Sequence, residues 1–207
     1  MLRPSPLSTN AAERICYYLG ARLIDACTKE TLKAVDYESL TGSRARRFKS
    51  ALRREGGSAL FAAFAHGNQD ALVLGGAWVI KRGDGPIFSG KMCAMVACCS
   101  LEGLGRAMVA AGALGAVGFR KEVRVWPFED SRLATLGNSF VQPYISWMLR
   151  PRPTKSFANA IRAELQSAID HASNLVRGTI QSDPIERWKD FHFIGLLREI
   201  KETIDYV

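Results

Sequence analysis

Two short stretches hold residue types that could do chemistry together: Ala65-His66-Gly67, and Ala97-Cys98-Cys99-Ser100. Each closes an almost wholly apolar run, SALFAAFAHG over 58–67 and KMCAMVACC over 91–99. Adjacent cysteines admit several uses: core filling, metal ligation, a redox pair or a nucleophile. An imidazole beside a thiol is what nucleophilic cysteine catalysis needs. A thiol with a pKa of about 8.5 is mostly protonated at neutral pH, and a nearby imidazole or helix N-terminus favours the thiolate. A helical stretch from Leu101 would supply that terminus beside Cys98. Gly67 has no side chain, so its N–H could approach a substrate. With the N–H of Cys98 it could hold a developing oxyanion, an effect of about 3–4 kcal/mol per donor.

Each residue also has an ordinary use. A histidine after an apolar run is commonly structural, and cysteine is among the most buried residue types. The pair is more specific than either residue, because both end apolar runs ahead of polar turns. Cys16, Cys27 and Cys93 read as core. His171, beside Asp170, reads as a surface or boundary residue, and His192, between Phe191 and Phe193, as packed or half-exposed. A zinc site is short of ligands: no Cys-x-x-Cys or His-x-x-x-His spacing supplements His66, Cys98 and Cys99.

The elements that must position the pair follow from periodicity. Residues 10–27 read as a helix, with Asn10 and Glu13 at capping-box spacing and Ile15, Leu19 and Leu23 on one face. A second helix is expected around 42–54, stopped by Gly56-Gly57. Residues 71–76 and 77–82 read as short strands, and 83–86 as a turn. The runs ending at His66 and Cys99, and ALGAVGFR over 113–120, have the continuous apolar character of doubly covered parallel strands, expected near 59–65, 92–98 and 114–119, with 101–112 as a helical crossover. Consecutive parallel strands are often neighbours, and ligands bind beyond their carboxyl ends. His66 and Cys98 are therefore expected at one sheet edge, about 4–6 Å apart. Helices are expected over 156–178 and over 183–204, where Asp183 caps and Pro184 takes the first position. The fold class is α/β, one domain over 1–207, with a helical N-terminal region 1–57, a core 58–178 and a helical C-terminal layer.

The 207 residues suffice for one sizeable core, and the balance of 47% hydrophobic and 23% charged residues argues against disorder. No apolar run reaches bilayer-spanning length, and the first residues lack a signal-peptide core, so a cytoplasmic protein with no membrane partner is expected. Five cysteines without small-scaffold spacing suggest reduced thiols. The net charge of +8 gathers at 42–55, 119–124 and 149–155. These segments read as solvated faces, since no aromatic residues interleave with the charge as nucleic-acid stacking requires.

Strand-His66-Gly67, strand-Ala97-Cys98-x-Ser100, a glycine-rich helix, GALGAVGF over 112–119 and TKSFANAIRAEL over 154–165 resemble the caspase-like cysteine peptidases, in particular the bacterial branch that includes the CHAT domains. The resemblance covers roughly 58–170. It implies a caspase-like three-layer sandwich, with a mostly parallel sheet between helices, and a His66–Cys98 dyad with the Gly67 and Cys98 amides as oxyanion donors. It places the nucleophile at the first cysteine after alanine, Cys98. Strand alternation would turn Cys99 the other way. It implies a protein substrate, no metal or organic cofactor, activation by a partner or small messenger, and a setting in bacterial defence or regulated death.

Two departures from the family pattern stand out. The family opens with a strand-helix-strand unit, whereas 1–57 reads mostly helical, so early strands are expected to be lost or replaced. Members that cut after Arg or Lys often place an acidic residue two positions before the cysteine, where this chain has Val96. An acidic specificity pocket would then draw on Asp70, Asp84, Glu102, Glu129 or Asp130. Two alternatives compete: a catalytically silent caspase-fold adaptor, and a basic nucleic-acid-binding protein, which lacks a recognition motif.

Overall fold

The computed structural model describes residues 1–4, 10–38, 43–55, 59–125, 130–178 and 183–207. In chain order the elements are β1 (Leu2–Arg3), α1 (Ala11–Lys29), β2 (Tyr37–Glu38), α2 (Ser43–Arg54), β3 (Leu60–Phe64), β4 (His66–Gly67), β5 (Ala71–Leu74) and β6 (Ala77–Lys81). A 3-10 helix, Arg82–Phe88, follows, then β7 (Met92–Val96), a π-helical turn (Leu101–Gly105), α3 (Arg106–Ala110) and β8 (Gly115–Phe119). The chain ends with α4 (Asp130–Leu149), α5 (Thr154–Gly178), α6 (Pro184–Thr203) and β9 (Ile204–Tyr206).

The main sheet has the order β2-β1-β3-β7-β8-β9. Its first five strands are parallel, and β9 runs antiparallel along β8. Alternation along the central strands divides the core. Ala62, Phe64, Ala94, Val96 and Val117 face buried residues of α1, α4, α5 and α6. Phe61, Ala63, Cys93, Met95 and Ala116 face a second cluster that includes Phe48 of α2, Leu72, Ile80, Phe88 and Met108. Both faces of β3, β7 and β8 are thus covered, which is why these strands read as unbroken apolar runs. The second cover is not purely helical, because a small antiparallel sheet, β4-β5-β6, lies within it. Gly75 and Gly76, with φ of 53° and 77°, form the tight turn between β5 and β6. No described helix is long and apolar enough to cross a membrane.

Several expectations change in detail. The first 57 residues hold two strands as well as two helices. β1 and β2 pair in parallel, Leu2 with Tyr37 and Arg3 with Glu38, so α1 connects a strand-helix-strand unit. Two-residue strands leave no period-two pattern in sequence. The expected turn at 83–86 lies inside the 3-10 helix, and the crossover 101–112 is a π-helical turn followed by only five α-helical residues. The cysteine strand ends at Val96, two residues earlier than expected. Gly56-Gly57 lie outside the described residues. Besides β1 and β2, the helix α4, whose interior holds Pro143, and the strand β9 had no forecast.

Candidate functional site

The β3–β7 ladder runs from Leu60↔Met92 to Phe64↔Val96, and the Ala65 amide extends it to the Val96 carbonyl at 3.2 Å. His66 and Cys98 leave these two strands at the same carboxyl edge. The chain after β3 turns into β4, where Gly67 packs on the second stretch. A Cβ at Gly67 would stand 2.8 Å from both the Ala97 Cβ and the Cys98 carbonyl oxygen. Only glycine permits this approach, which presses the His66-Gly67 backbone onto Ala97-Cys98.

Past Val96, Ala97 to Ser100 form a turn rather than strand. Ser100 Oγ donates to the Ala97 carbonyl at 2.8 Å, and Cys99 takes a left-handed φ of 54°. Strand alternation therefore does not separate the two cysteines; the turn at Cys99 does. Both are partly exposed. The Cys99 amide donates to the Lys121 carbonyl at 3.2 Å, and the Val123 amide donates to Cys98 Sγ at 3.3 Å. The Cys98 thiol faces the Val123 carbonyl at 3.8 Å. The segment after β8 thus lies across the thiol.

Burial pushes the Cys98 thiol above its ordinary pKa; the Val123 amide pulls it down, and Cys99 and Glu122 push it up again. The resting thiol is protonated at neutral pH. This differs from the expected thiolate, because desolvation outweighs what the short helical turn supplies. The imidazole has its own neighbour: His66 Nε2 lies 3.8 Å from Oε1 of Glu13, in the first turn of α1. Among the described residues no hydrogen bond joins His66 to Cys98.

Cys16 and Cys93 are core, as expected, and burial pushes both thiols up to about 12. Cys27 is buried as well. His171 is exposed on α5. His192 is half-buried, as expected, with Nδ1 2.9 Å from the Trp188 carbonyl and its ring against Trp188. The acidic residues considered for a specificity pocket are engaged where described: Asp70 with Arg82, Asp84 with Lys49, and Glu102 with Arg106 and Arg120. Glu129 lies outside the described residues, as does the side chain of Asp130. The basic helix α2 exposes Arg46 and Arg47, while Lys49 is drawn to Asp84 at 2.6 Å. Among the described residues no three His, Cys, Asp or Glu side chains gather as a metal would require. A cavity of about 600 Å³ between α5 and α6, lined by Asp170, Arg177, Arg198 and Lys201 among others, includes neither His66 nor Cys98.

The residues that carry the family likeness also pack against one another. Ser100 Oγ would lie 2.7 Å from a Cβ at Gly118, and Thr154 fills the space a side chain at Gly115 would need. The small residues of GALGAVGF thus answer to close packing as well as to any motif. No protein-family model, curated protein or solved structure matches the chain.

Proposed function

We propose that the chain is a cytoplasmic cysteine endopeptidase of caspase-like type, in which His66 and Cys98 act on a protein substrate. One observation supports this above the others: Phe64↔Val96 register and the Gly67–Cys98 backbone contact bring an imidazole and a partly exposed thiol to one sheet edge. The strand-helix-strand opening and the two-faced parallel sheet agree with a caspase-like sandwich.

In this reading His66 takes the Cys98 thiol proton and the thiolate attacks a peptide carbonyl. The oxyanion rests on the Gly67 and Cys98 amides. Asn68 donates to the Ala71 carbonyl, which makes Gly67–Leu72 a non-bonded pair of the β4–β5 ladder and leaves the Gly67 amide directed away from β5. The C–N bond then breaks as His66 returns the proton to the leaving amine. Water, deprotonated by His66, hydrolyses the thioester and restores the thiol. An activating partner or small messenger, in the defence or regulated-death setting the resemblance implies, would act by freeing Cys98 from Val123. The engaged, protonated thiol equally favours a second reading, a silent caspase-fold adaptor.

The deciding experiment is alkylation by an electrophilic peptide with mass mapping of the label, in the presence of cell extract or operon-encoded partners. Label on Cys98, lost in Cys98→Ala and largely retained in Cys99→Ala, supports the peptidase. Label on Cys99 moves the nucleophile by one residue. No label on either cysteine leaves the adaptor.

A further inference from the structure

Glu13 has no place in the dyad as derived above, yet its carboxylate is held at that site from two sides. Oε1 lies 3.8 Å from His66 Nε2 and accepts the Gly75 amide, from the β5–β6 turn, at 3.3 Å. The side chain is 14% exposed, against 38% for the imidazole. It projects from the first turn of α1, a 19-residue helix whose positive end favours its charge. Its partners come from a different sheet and a different core cluster, so local helix capping does not account for them.

A carboxylate accepts but does not donate, so the ring nitrogen it faces is the one that carries hydrogen. Facing Nε2, Glu13 selects the Nε2–H tautomer and leaves the Nδ1 lone pair as the acceptor for a thiol proton. We propose that Glu13 is the positioning residue of His66: it sets the tautomer and orientation of the ring and stabilises the imidazolium that forms when Nδ1 takes the Cys98 proton. The proton then passes from Nδ1 to the leaving amine. The 3.8 Å separation is longer than a hydrogen bond, and attraction between carboxylate and imidazolium would shorten it once the ring is charged. This inference rests on the reading of His66 and Cys98 as a dyad.

The test is ¹⁵N NMR of the imidazole rings, for which the chain offers three histidines. His66 should show the Nε2–H tautomer in the wild type. Glu13→Ala should convert it to a mixture, while Glu13→Gln, which keeps an acceptor without charge, should retain the tautomer. His192, whose Nδ1 faces the Trp188 carbonyl, and His171 on α5 should stay unchanged and so report an intact fold. In parallel, peptide cleavage should fall roughly 10²-fold or more in kcat for Glu13→Ala, with KM nearly constant and an intermediate value for Glu13→Gln. A His66 tautomer identical in wild type and Glu13→Ala overturns the inference, even where Cys98 is labelled and the peptidase reading stands. A tautomer that follows Glu13 while Cys98 stays unlabelled under activating conditions supports the Glu13–His66 pairing and overturns the peptidase.

Discussion

Cys98 is distinguished from Cys99 by its environment rather than by strand parity. Its sulfur touches both backbone groups of Val123, and burial holds it protonated. A small neutral alkylating reagent should therefore label it slowly at neutral pH, with a rate that climbs only above the usual thiol range as the thiolate forms. The mass-mapped rate at Cys98 against pH checks this. A rate already at its plateau near neutrality would mean the thiolate is preformed. That His66 and Cys98 leave neighbouring strands at one edge was legible in sequence, because each follows an apolar run. Glu13 was not, since a Glu three residues after Asn10 reads as half of a capping box. Asn10 does accept from the Glu13 amide at 3.2 Å, but the carboxylate reaches across the molecule. Val123 left no signal either, as its role lies in backbone atoms.

At the scale of elements, the approach of β4 to the cysteine turn depends on Gly67. Gly67→Ala would drive a methyl into the Ala97 Cβ and the Cys98 carbonyl, both 2.8 Å away. Overpacking of this kind costs about 1–3 kcal/mol. A lowered urea midpoint should accompany a loss of peptide labelling at Cys98 larger than the stability change explains. Helix α2 should behave differently. Arg46, Arg47, Arg53 and Arg54 face solvent, while Lys49 reaches Asp84 of the 3-10 helix. Reversing charge at Arg46, Arg47, Arg53 and Arg54 should leave labelling largely intact; loss of labelling with the fold preserved would make α2 a partner surface. The three central strands were legible because burial on both faces removes polar residues from them. α4 was obscured by Pro143 and Gly137, and β9 because Ile204 continues the i, i+4 spacing of Ile200 and so reads as the end of α6.

For the molecule as a whole, buried thiols give stability a definite pH dependence. Burial pushes Cys16 and Cys93 up to about 12 in the folded chain, well above an ordinary thiol, and it also raises Cys27, Cys98 and Tyr144. The folded state then holds more protons than the unfolded one at alkaline pH, so stability is fully present below about pH 9 and falls as pH rises toward 12. Urea midpoints should drop between about pH 9 and about pH 12, and the drop should shrink in Cys16→Ala/Cys93→Ala. An equal drop in the double variant would assign the effect elsewhere.

The β3–β7 ladder also constrains how quickly a latent site could respond. Adjacent strands lie about 4.8 Å apart, and these two are buried on both faces, so their carboxyl ends cannot separate without opening the core. Domain closure and sheet rearrangement are thus closed to the site as routes of activation. What remains is the release of residues 121–125 from the cysteine turn and rotation of the two side chains, motions of the ns–μs class. In the proposed peptidase, turning the protein on would then be limited by how fast an activator arrives, not by how fast the chain rearranges, and a stopped-flow trace should scale linearly with the concentration of any such activator.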